Sequence, residues 1–393
     1  MLALEPDVLL DPEAAAPSGG VLLVENGRIA ARLAAGVRTP ESARRVALPG
    51  LALAPGFLDV HYHGALIFTL PRAARAALEA AGRELLATGV TGFLATTVTW
   101  PARELSAYVE AWAAAAAQLA NAAEAASVLG LHLEGPWIRP EAAGAQPRSG
   151  IRPYRAEDAA LFDRAAGLVP LVTLAPEAEG ADLLLAELAR RGIAASLGHT
   201  LASAEQCERA IAQGARHATH LFNAMGAFHQ RAPGLIGTAL ASDALSCDLI
   251  CDGVHVHPSA VRAAARAKRD RLALITDNVA VPAADQNANA LASFDAGAVH
   301  DDGVALRLAD GTLAGSRLSL DRAVANAEAF GAMSRLEAVR AATLAPARLL
   351  GIERERGTLR EGARADFALL DASGAIAETW LAGRCVYRRG DDR

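Results

Sequence analysis

The strongest structural signal in the chain is the stretch Gly56-Phe57-Leu58-Asp59-Val60-His61-Tyr62-His63-Gly64. It is a short apolar run that ends in two histidines and a glycine. Side chains at positions i and i+2 of a strand point to the same face of the sheet. The imidazoles of His61 and His63 can therefore reach one cation. The pattern predicts a strand whose C-terminal end carries metal ligands.

Four further residues of metal-ligand type each follow an apolar, strand-like run, in the order Glu134, His199, His220 and Asp277. Divalent metals such as zinc bind imidazole and carboxylate, and a catalytic site keeps one position for water. A bound metal lowers the pKa of that water toward about 7. A neighbouring carboxylate can take the proton and later return it to a leaving amine. We assign that role to Asp277.

Short apolar runs alternate with helical stretches such as Ala181–Arg191 through the middle of the chain. Eight β-α units in series indicate a (β/α)8 barrel of the TIM type. The ligand candidates fall at the C-terminal ends of runs one, three, five, six and eight, where such a barrel carries its active site. The eight runs are Gly56–His61, Gly92–Val98, Val128–Glu134, Leu171–Leu174, Ala194–His199, Ala215–His220, Asp248–Asp252 and Leu272–Asp277.

Both ends of the chain are rich in β-type segments. Val21–Val24 is followed by Asn26-Gly27, a pair typical of a tight hairpin turn. Near the other end, Asp366–Leu370 and Glu378–Arg384 run apolar with a turn between them. We therefore expect an α/β chain with a metal-dependent hydrolase barrel over residues 55–350. A small β-sandwich domain would be formed by residues 1–54 and 351–393.

Composition excludes several functional classes. Of 393 residues 52% are hydrophobic, mean hydropathy is +0.20 and net charge is −6 without a basic block. These values predict a sizeable core and argue against nucleic-acid or anionic-membrane binding. No apolar run approaches the roughly 18 to 20 residues of a membrane span. Early acidic residues argue against a signal peptide, so we expect a cytoplasmic protein.

Several motifs, taken in order, resemble the amidohydrolase superfamily and most closely its N-acetylglucosamine-6-phosphate deacetylases. Each motif alone is weak, but their order makes the resemblance specific, and it covers nearly the whole chain. The motifs are Pro55–Gly64, Leu133–Pro136, Gly198–Thr200, Thr219–Met225, Asp252–His255, Gly311–Ser316 and Ala342–Ala347.

The resemblance implies a barrel with a small β-sandwich, a homodimer and a divalent metal, for which zinc is our first choice. It implies that Glu134, His199 and His220 hold the catalytic metal and that Asp277 is the general acid and base. Some relatives lack the first histidine pair and use one metal, whereas others keep it and can bind two. This chain keeps His61 and His63, which leaves room for a second metal with Glu134 as the bridge.

The resemblance also implies a sugar-phosphate substrate. Asn223 and Ala224 match the pair that holds the phosphate, and Arg231 and His255 match residues that complete the pocket from the partner subunit. Arginine offers a planar fork suited to phosphate oxygens. The implied reaction, in amino-sugar catabolism, converts N-acetylglucosamine 6-phosphate to glucosamine 6-phosphate and acetate.

Two positions depart from the family pattern. Gln146 stands where the family has a histidine that helps to polarise the substrate carbonyl, and a glutamine can donate a hydrogen bond but not a proton. Asn278 stands where alanine is usual. These departures leave open a different N-acyl amino sugar or an N-acyl amino acid as substrate. A catalytically idle barrel that binds a sugar phosphate is a further alternative, against which the intact ligand set argues.

The lysine content excludes one related kind of metal centre. Other amidohydrolases bridge two metals with a carboxylated lysine on strand four. The single lysine here, Lys268, lies in a helical stretch after strand seven. Four of the remaining histidines are expected to be structural or solvent-facing, and for His217 a role in supporting the metal ligands is the alternative. These are His132, His217, His257 and His300.

Overall fold

A computed structural model describes residues 1–66, 74–119, 124–165, 167–279 and 299–391. Its strands form a large parallel sheet, a seven-stranded sheet and a two-stranded hairpin. The strands are β1 (Leu2–Leu9), β2 (Gly20–Glu25), β3 (Arg28–Ala34), β4 (Arg44–Pro55), β5 (Phe57–Tyr62), β6 (Val90–Thr96), β7 (Ser127–Glu134), β8 (Leu171–Leu174), β9 (Ala194–Leu197), β10 (Ala215–Ala218), β11 (Ser246–Ile250), β12 (Leu272–Ile275), β13 (His300–Asp301), β14 (Leu306–Arg307), β15 (Phe367–Leu370), β16 (Ile376–Leu381) and β17 (Arg384–Arg388).

The α-helices cover the outside of the parallel sheet. In α4, for example, Leu184, Leu185 and Leu188 are buried while Arg190 at its end is exposed, which is the pattern of a helix packed by one face. The described helices are α1 (Ala74–Leu86), α2 (Ala102–Leu119), α3 (Ala159–Arg164), α4 (Ala181–Arg191), α5 (Ala204–Ala212), α6 (Gly234–Ala241), α7 (Pro258–Lys268), α8 (Leu320–Ala329), α9 (Arg335–Ala342) and α10 (Leu344–Leu350).

Strands β5 to β12 lie side by side in chain order, and every neighbouring pair is parallel. The last strand returns to the first through a parallel bridge between Tyr62 and Asn278. The Asp277 N–H also donates to the His61 carbonyl at 2.9 Å. All eight predicted runs become strands of this sheet, so the expected TIM-type barrel is confirmed.

The barrel strands are largely buried, because helices cover one face and side chains fill the other. All seven residues of β6 and all four residues of β12 are buried. Parallel strands in such a setting read as continuous apolar runs rather than alternating ones. This is the reason that short apolar runs located the strands in the sequence.

The second sheet draws its strands from both ends of the chain, in the order β17-β16-β15-β4-β1-β2-β3. The sheet curls, because the Ile29 N–H on β3 donates to the Ala363 carbonyl ahead of β15 at 2.9 Å. One apolar cluster accordingly joins residues of both ends, such as Leu22 and Trp380. The predicted Asn26-Gly27 hairpin turn is present, with φ of 51° and 74°, as a type I′ turn requires.

The separate small sheet is confirmed, whereas the boundaries expected at residues 54/55 and 350/351 stay a prediction. In the structure β4 ends at Pro55 and α10 ends at Leu350. Within the described ranges, the helices are too short or too polar to cross a membrane.

A buried ion cluster joins the small sheet to the barrel. The Asp366 carboxylate accepts from Arg356 at 2.8 Å and from Arg364 at 2.9 Å. The second nitrogen of the Arg356 guanidinium donates to Ser127 Oγ, at the start of β7, at 2.9 Å. Asp366 also accepts from the Ala382 N–H at 2.7 Å.

We expect Asp366→Ala to lower the free energy of unfolding by about 3–5 kcal/mol, because it leaves the buried Arg356 charge unpaired. Urea denaturation measures the change. Glu41→Ala is the control, because it breaks the Arg38–Glu41 pair, whose side chains are 84% and 83% exposed, and should cost less than about 1 kcal/mol. Equal effects of the two substitutions would contradict the assigned role of the cluster.

Candidate metal centre and its cavity

Three of the predicted site residues share one backbone geometry. His199, His220 and Asp277 each lie two residues beyond the end of their strand, and their φ angles are 48°, 34° and 48°. Non-glycine residues rarely adopt positive φ. Such conformations cost about 1–3 kcal/mol each, persist where the surrounding structure over-determines them, and cluster at functional sites. The strained turns at these strand ends place all three side chains in the mouth of the barrel.

The Glu134 carboxylate, at the end of β7, lies between two groups of histidines. Its Oε1 is 3.1 Å from His199 Nε2 and 3.2 Å from His220 Nε2. The same oxygen is 3.4 Å from His61 Nε2, and Oε2 is 3.3 Å from His63 Nε2. Two clusters with metal-ligand spacing result, one of His61, His63 and Glu134 and one of Glu134, His199 and His220.

Asp277 lies beside the first of these clusters. Its Oδ1 is 3.2 Å from His63 Nε2 and 3.5 Å from His61 Nε2. It is 9% exposed, whereas His61 is fully buried. Asp277 therefore faces the open side of the centre, where a substrate can approach.

The protonation of two imidazoles shows that this donor set fits a metal. His63 Nδ1 lies 3.2 Å from the Thr96 carbonyl and His199 Nδ1 lies 2.9 Å from the Ala142 carbonyl. A carbonyl oxygen only accepts, so both Nδ1 atoms carry the proton and neutral rings present bare Nε2 lone pairs to Glu134. An imidazole lone pair and a carboxylate oxygen repel each other unless a cation lies between them. This carbonyl anchoring of the far ring nitrogen is typical of metal-binding histidines.

Without a metal, protons take the place of that cation. Burial lowers the pKa of His63, but hydrogen bonds to Asp277 and Glu134 outweigh it and raise the pKa to about 10. Burial raises the pKa of Glu134, yet His61, His199 and His220 hold that pKa well below its usual range. The pKa of Asp277 is likewise lowered, because His61 and His63 outweigh its burial.

A layer of buried polar groups under the centre was not assigned a function from the sequence. The Asp248 carboxylate accepts the backbone N–H of His220 and lies 3.1 Å from His217 Nε2. The His132 ring meets the His61 ring edge to face at 4.7 Å. Asp248 and His132 thus orient ligands without touching the cavity. In the sequence, both could have been noticed as a carboxylate or imidazole side chain inside an otherwise apolar strand.

Gln146 contacts the shared carboxylate directly. Its Nε2 donates to Glu134 Oε2 at 2.5 Å and its Oε1 accepts from the Thr99 N–H at 2.9 Å. The side chain expected at the substrate therefore also holds a metal-ligand candidate. Asn278 turns away from the centre, since its Nδ2 donates to the Leu318 carbonyl at 3.1 Å.

The centre opens into a cavity of about 260 Å³, near the lower end of the range for small-molecule sites. It combines the candidate ligands with apolar walls. Its lining includes His63, Glu134, Gln146, His199, His220, Asn223, Ala224, His255, Asp277, Val98, Val279, Leu313 and Ala314.

Three of the residues expected at the phosphate line the cavity, and their contact with phosphate stays a prediction. Asn223 and Ala224 line the cavity, and the Ala224 N–H has no acceptor among the described residues. His255 was expected to reach into a partner's site. In the structure the ring lines the cavity of its own chain, with its Nδ1 2.6 Å from Asp252 Oδ2.

Arg231 is exposed and lies outside the cavity lining of its own chain. It shares its loop with Phe228, which is 59% exposed, and Leu201 nearby is 48% exposed. Large apolar side chains that are exposed beside a functional site often mark an interaction surface.

The sequence of this chain is similar to those of known proteins. The amidohydrolase family model matches residues 52–386. An N-acetylglucosamine-6-phosphate deacetylase of Bacillus subtilis (strain 168) is 34% identical, covering 97% of this chain and 96% of that protein. An N-acetylgalactosamine-6-phosphate deacetylase of Escherichia coli O157:H7 is 33% identical, covering 84% and 87%.

A solved structure shares the whole fold. It is a mutant N-acetyl-D-glucosamine-6-phosphate deacetylase from Mycobacterium smegmatis in complex with N-acetyl-D-glucosamine-6-phosphate. It superimposes with a TM-score of 0.82 at 32% identity, covering 98% of this chain and 99% of that one.

We expect metal binding to release protons. Because the pKa of metal-free His63 is raised to about 10, this ring is protonated at pH 7 and the metal must displace its proton. Metal affinity should therefore rise with pH up to about 10. Calorimetric titration of metal-stripped protein in two buffers of different ionisation enthalpy measures the release. Identical heats in both buffers would be incompatible with this account, and the exposed substitution His257→Gln should change nothing.

Proposed function

The chain belongs to the amidohydrolase family and, within it, to the N-acetylglucosamine-6-phosphate deacetylases, and from this premise we propose that it hydrolyses N-acetylglucosamine 6-phosphate to glucosamine 6-phosphate and acetate. The observation that carries the proposal is the Glu134 carboxylate shared by two histidine pairs, with Asp277 beside it on the cavity side. We place the reaction in amino-sugar catabolism.

We assign Glu134, His199 and His220 to the catalytic metal, and His61 and His63 to a second one that shares Glu134. These residues would hold a divalent metal, which would supply Lewis-acid polarisation of the acetamide carbonyl and lower the pKa of the attacking water. Zinc is our choice because imidazole and carboxylate are its usual ligands at catalytic sites. His63 and His199 keep their rings fixed through the carbonyls of Thr96 and Ala142.

Asp277 moves the proton in this proposal. Its lowered pKa keeps the carboxylate ionised at neutral pH, so it can accept the proton of the attacking water. When the C–N bond breaks, the same group returns that proton to the departing amine. Val98, Val279 and Leu313 form apolar walls of the same cavity.

We assign the phosphate end of the substrate to the loop that follows His220. The Ala224 N–H, which has no acceptor among the described residues, lines the same cavity as the His255 ring and can donate to phosphate oxygens. The His255 Nδ1 donates to Asp252, so this ring can donate to phosphate through Nε2 only as the imidazolium. Arg231, exposed in its own chain, would complete the pocket of a partner subunit in a homodimer. The exposed side chains of Phe228 and Leu201 support an interface at this loop.

We also propose that the protein works in the cytoplasm. Cys207, Cys247 and Cys251 are buried thiols outside any disulfide, which is the state that a reducing compartment maintains. Burial raises the pKa of Cys247 and Cys251 to about 12, so neither is a reactive thiolate.

Acetate release tests the proposed reaction. The metal-analysed enzyme is assayed with N-acetylglucosamine and N-acetylgalactosamine, each with and without the 6-phosphate, and with an N-acetyl amino acid. We expect the highest kcat/KM with N-acetylglucosamine 6-phosphate. The galactosamine epimer is the second candidate substrate, because a relative at nearly the same identity bears that name. Equal turnover of unphosphorylated sugars would exclude both, and no turnover of any compound would favour a binding protein.

We expect Asp277→Asn to lower kcat by about 10²–10⁴-fold, because the amide cannot accept the proton of the attacking water. Metal at Glu134, His199 and His220 should be retained, as elemental analysis can measure. Asp163→Asn, at a carboxylate that is 68% exposed on the surface, is the matched control. Normal turnover in the Asp277 variant would refute its assignment.

Arg231→Ala should raise KM for the phosphorylated substrate by about 10–100-fold, because it removes a charge-assisted hydrogen bond, while kcat changes less. Phe228→Arg should produce monomers in sedimentation experiments and the same rise in KM. Leu183→Arg, at a residue that is 62% exposed on helix α4, serves as the control. A fully active wild-type monomer would contradict the shared pocket.

A further inference from the structure

Gln146 is held at both ends of its amide. Its Oε1 accepts from the Thr99 N–H at 2.9 Å, and its Nε2 donates to Glu134 Oε2 at 2.5 Å. A backbone N–H only donates, so the carbonyl end must face Thr99 and the amino end must face Glu134. The side chain is 7% exposed, which makes this a buried hydrogen bond to a charged acceptor.

The loop that carries Gln146 is itself fixed against strand β6. Thr99 Oγ1 donates to the Pro147 carbonyl at 2.5 Å, and the Gln146 N–H donates to the Ala143 carbonyl at 3.0 Å. Both the amide and its support therefore have a defined position relative to Glu134. A preorganised donor of this kind can hold the carboxylate without a rotamer cost at each binding event.

The two oxygens of Glu134 face different ligands. Oε1 lies near His61, His199 and His220, whereas Oε2 lies near His63 and Gln146. The terminal torsion of a glutamate side chain is broad. Without the Gln146 donor the carboxylate could rotate, and Oε2 would leave the side of the centre that carries His63.

We propose that Gln146 is a positioning residue that fixes the rotation of the Glu134 carboxylate. Oε1 then faces His61, His199 and His220 while Oε2 stays beside His63, so that the His61–His63 cluster can bind the second metal. The inference rests on the proposed function only in that the centre binds divalent metal. It assigns to Gln146 a role other than contact with the substrate. The second N–H of the amide, which has no acceptor among the described residues, remains free to face the cavity.

The test measures metal binding without substrate. Metal-stripped wild type, Gln146→Met and the control Gln213→Met are titrated with Zn²⁺ against a competing chelator. Gln213 is exposed, and among the described residues its side chain bonds only to Asp182. A His61→Ala/His63→Ala double variant identifies which binding step belongs to which cluster. Wild type should bind two equivalents, and the double variant should bind one.

We expect Gln146→Met to weaken the second equivalent by about 10–100-fold, the usual effect of removing an outer partner of a metal ligand, while the first equivalent changes little. Gln213→Met should bind like wild type. The visible absorption of the Co²⁺ form should lose the contribution of the second site in parallel. Because no substrate is present, this result would stand even if the chain turned over a different compound.

Three results would overturn the inference. They are unchanged binding of both equivalents in Gln146→Met, equal weakening of both, and a single equivalent in the wild type. A change in KM or kcat with unchanged metal binding would place Gln146 at the substrate instead. If thermal unfolding shows that the methionine variant does not fold, Gln146→Asn decides. Its amide is one methylene too short to reach both partners, so the same selective loss is expected.

Discussion

Four imidazole nitrogens lie 3.1 to 3.4 Å from the oxygens of one buried carboxylate, that of Glu134. Removing a carboxylate from water costs several kcal/mol, and an ion stays buried only when partners compensate it. The carboxylate and its partners come from four strand ends of the barrel, so the centre forms only when these strands have assembled. His63 and His199 carry a proton on Nδ1, which faces a backbone carbonyl. Their Nε2 atoms therefore need a second proton or a metal between themselves and the carboxylate.

The closure of the barrel and the assembly of the centre use the same residues. The Asp277 N–H donates to the His61 carbonyl, and the Asn278 carbonyl accepts from the N–H groups of His63 and Gly64. The last strand thus reaches the first through the backbone of His61, His63 and Asp277, whose side chains belong to the centre, and of Asn278, whose side chain turns away from it. The positive φ angles at His199, His220 and Asp277 represent strain that this closed barrel can sustain. Function and fold are coupled here by backbone hydrogen bonds rather than by the ligands alone.

The architecture could be predicted well from the sequence, because strands and turns are marked by local sequence patterns. Buried parallel strands read as apolar runs, and Asn26-Gly27 specifies a tight turn. The metal-ligand candidates were found because their types and order are unusual. Contacts between distant loops could not be predicted in this way. Nothing local indicates that Gln146 meets Glu134, that Asp248 holds the backbone of His220, or that His255 lines the cavity of its own chain.

The central claim is that the Glu134 carboxylate is shared between two metal-binding clusters. Anomalous diffraction at the zinc edge from crystals of the zinc-loaded protein tests it most directly. The account predicts two anomalous peaks on either side of Glu134, one beside His61 and His63 and one beside His199 and His220. Peaks that do not contact Glu134, or no peak at these histidines, would contradict it.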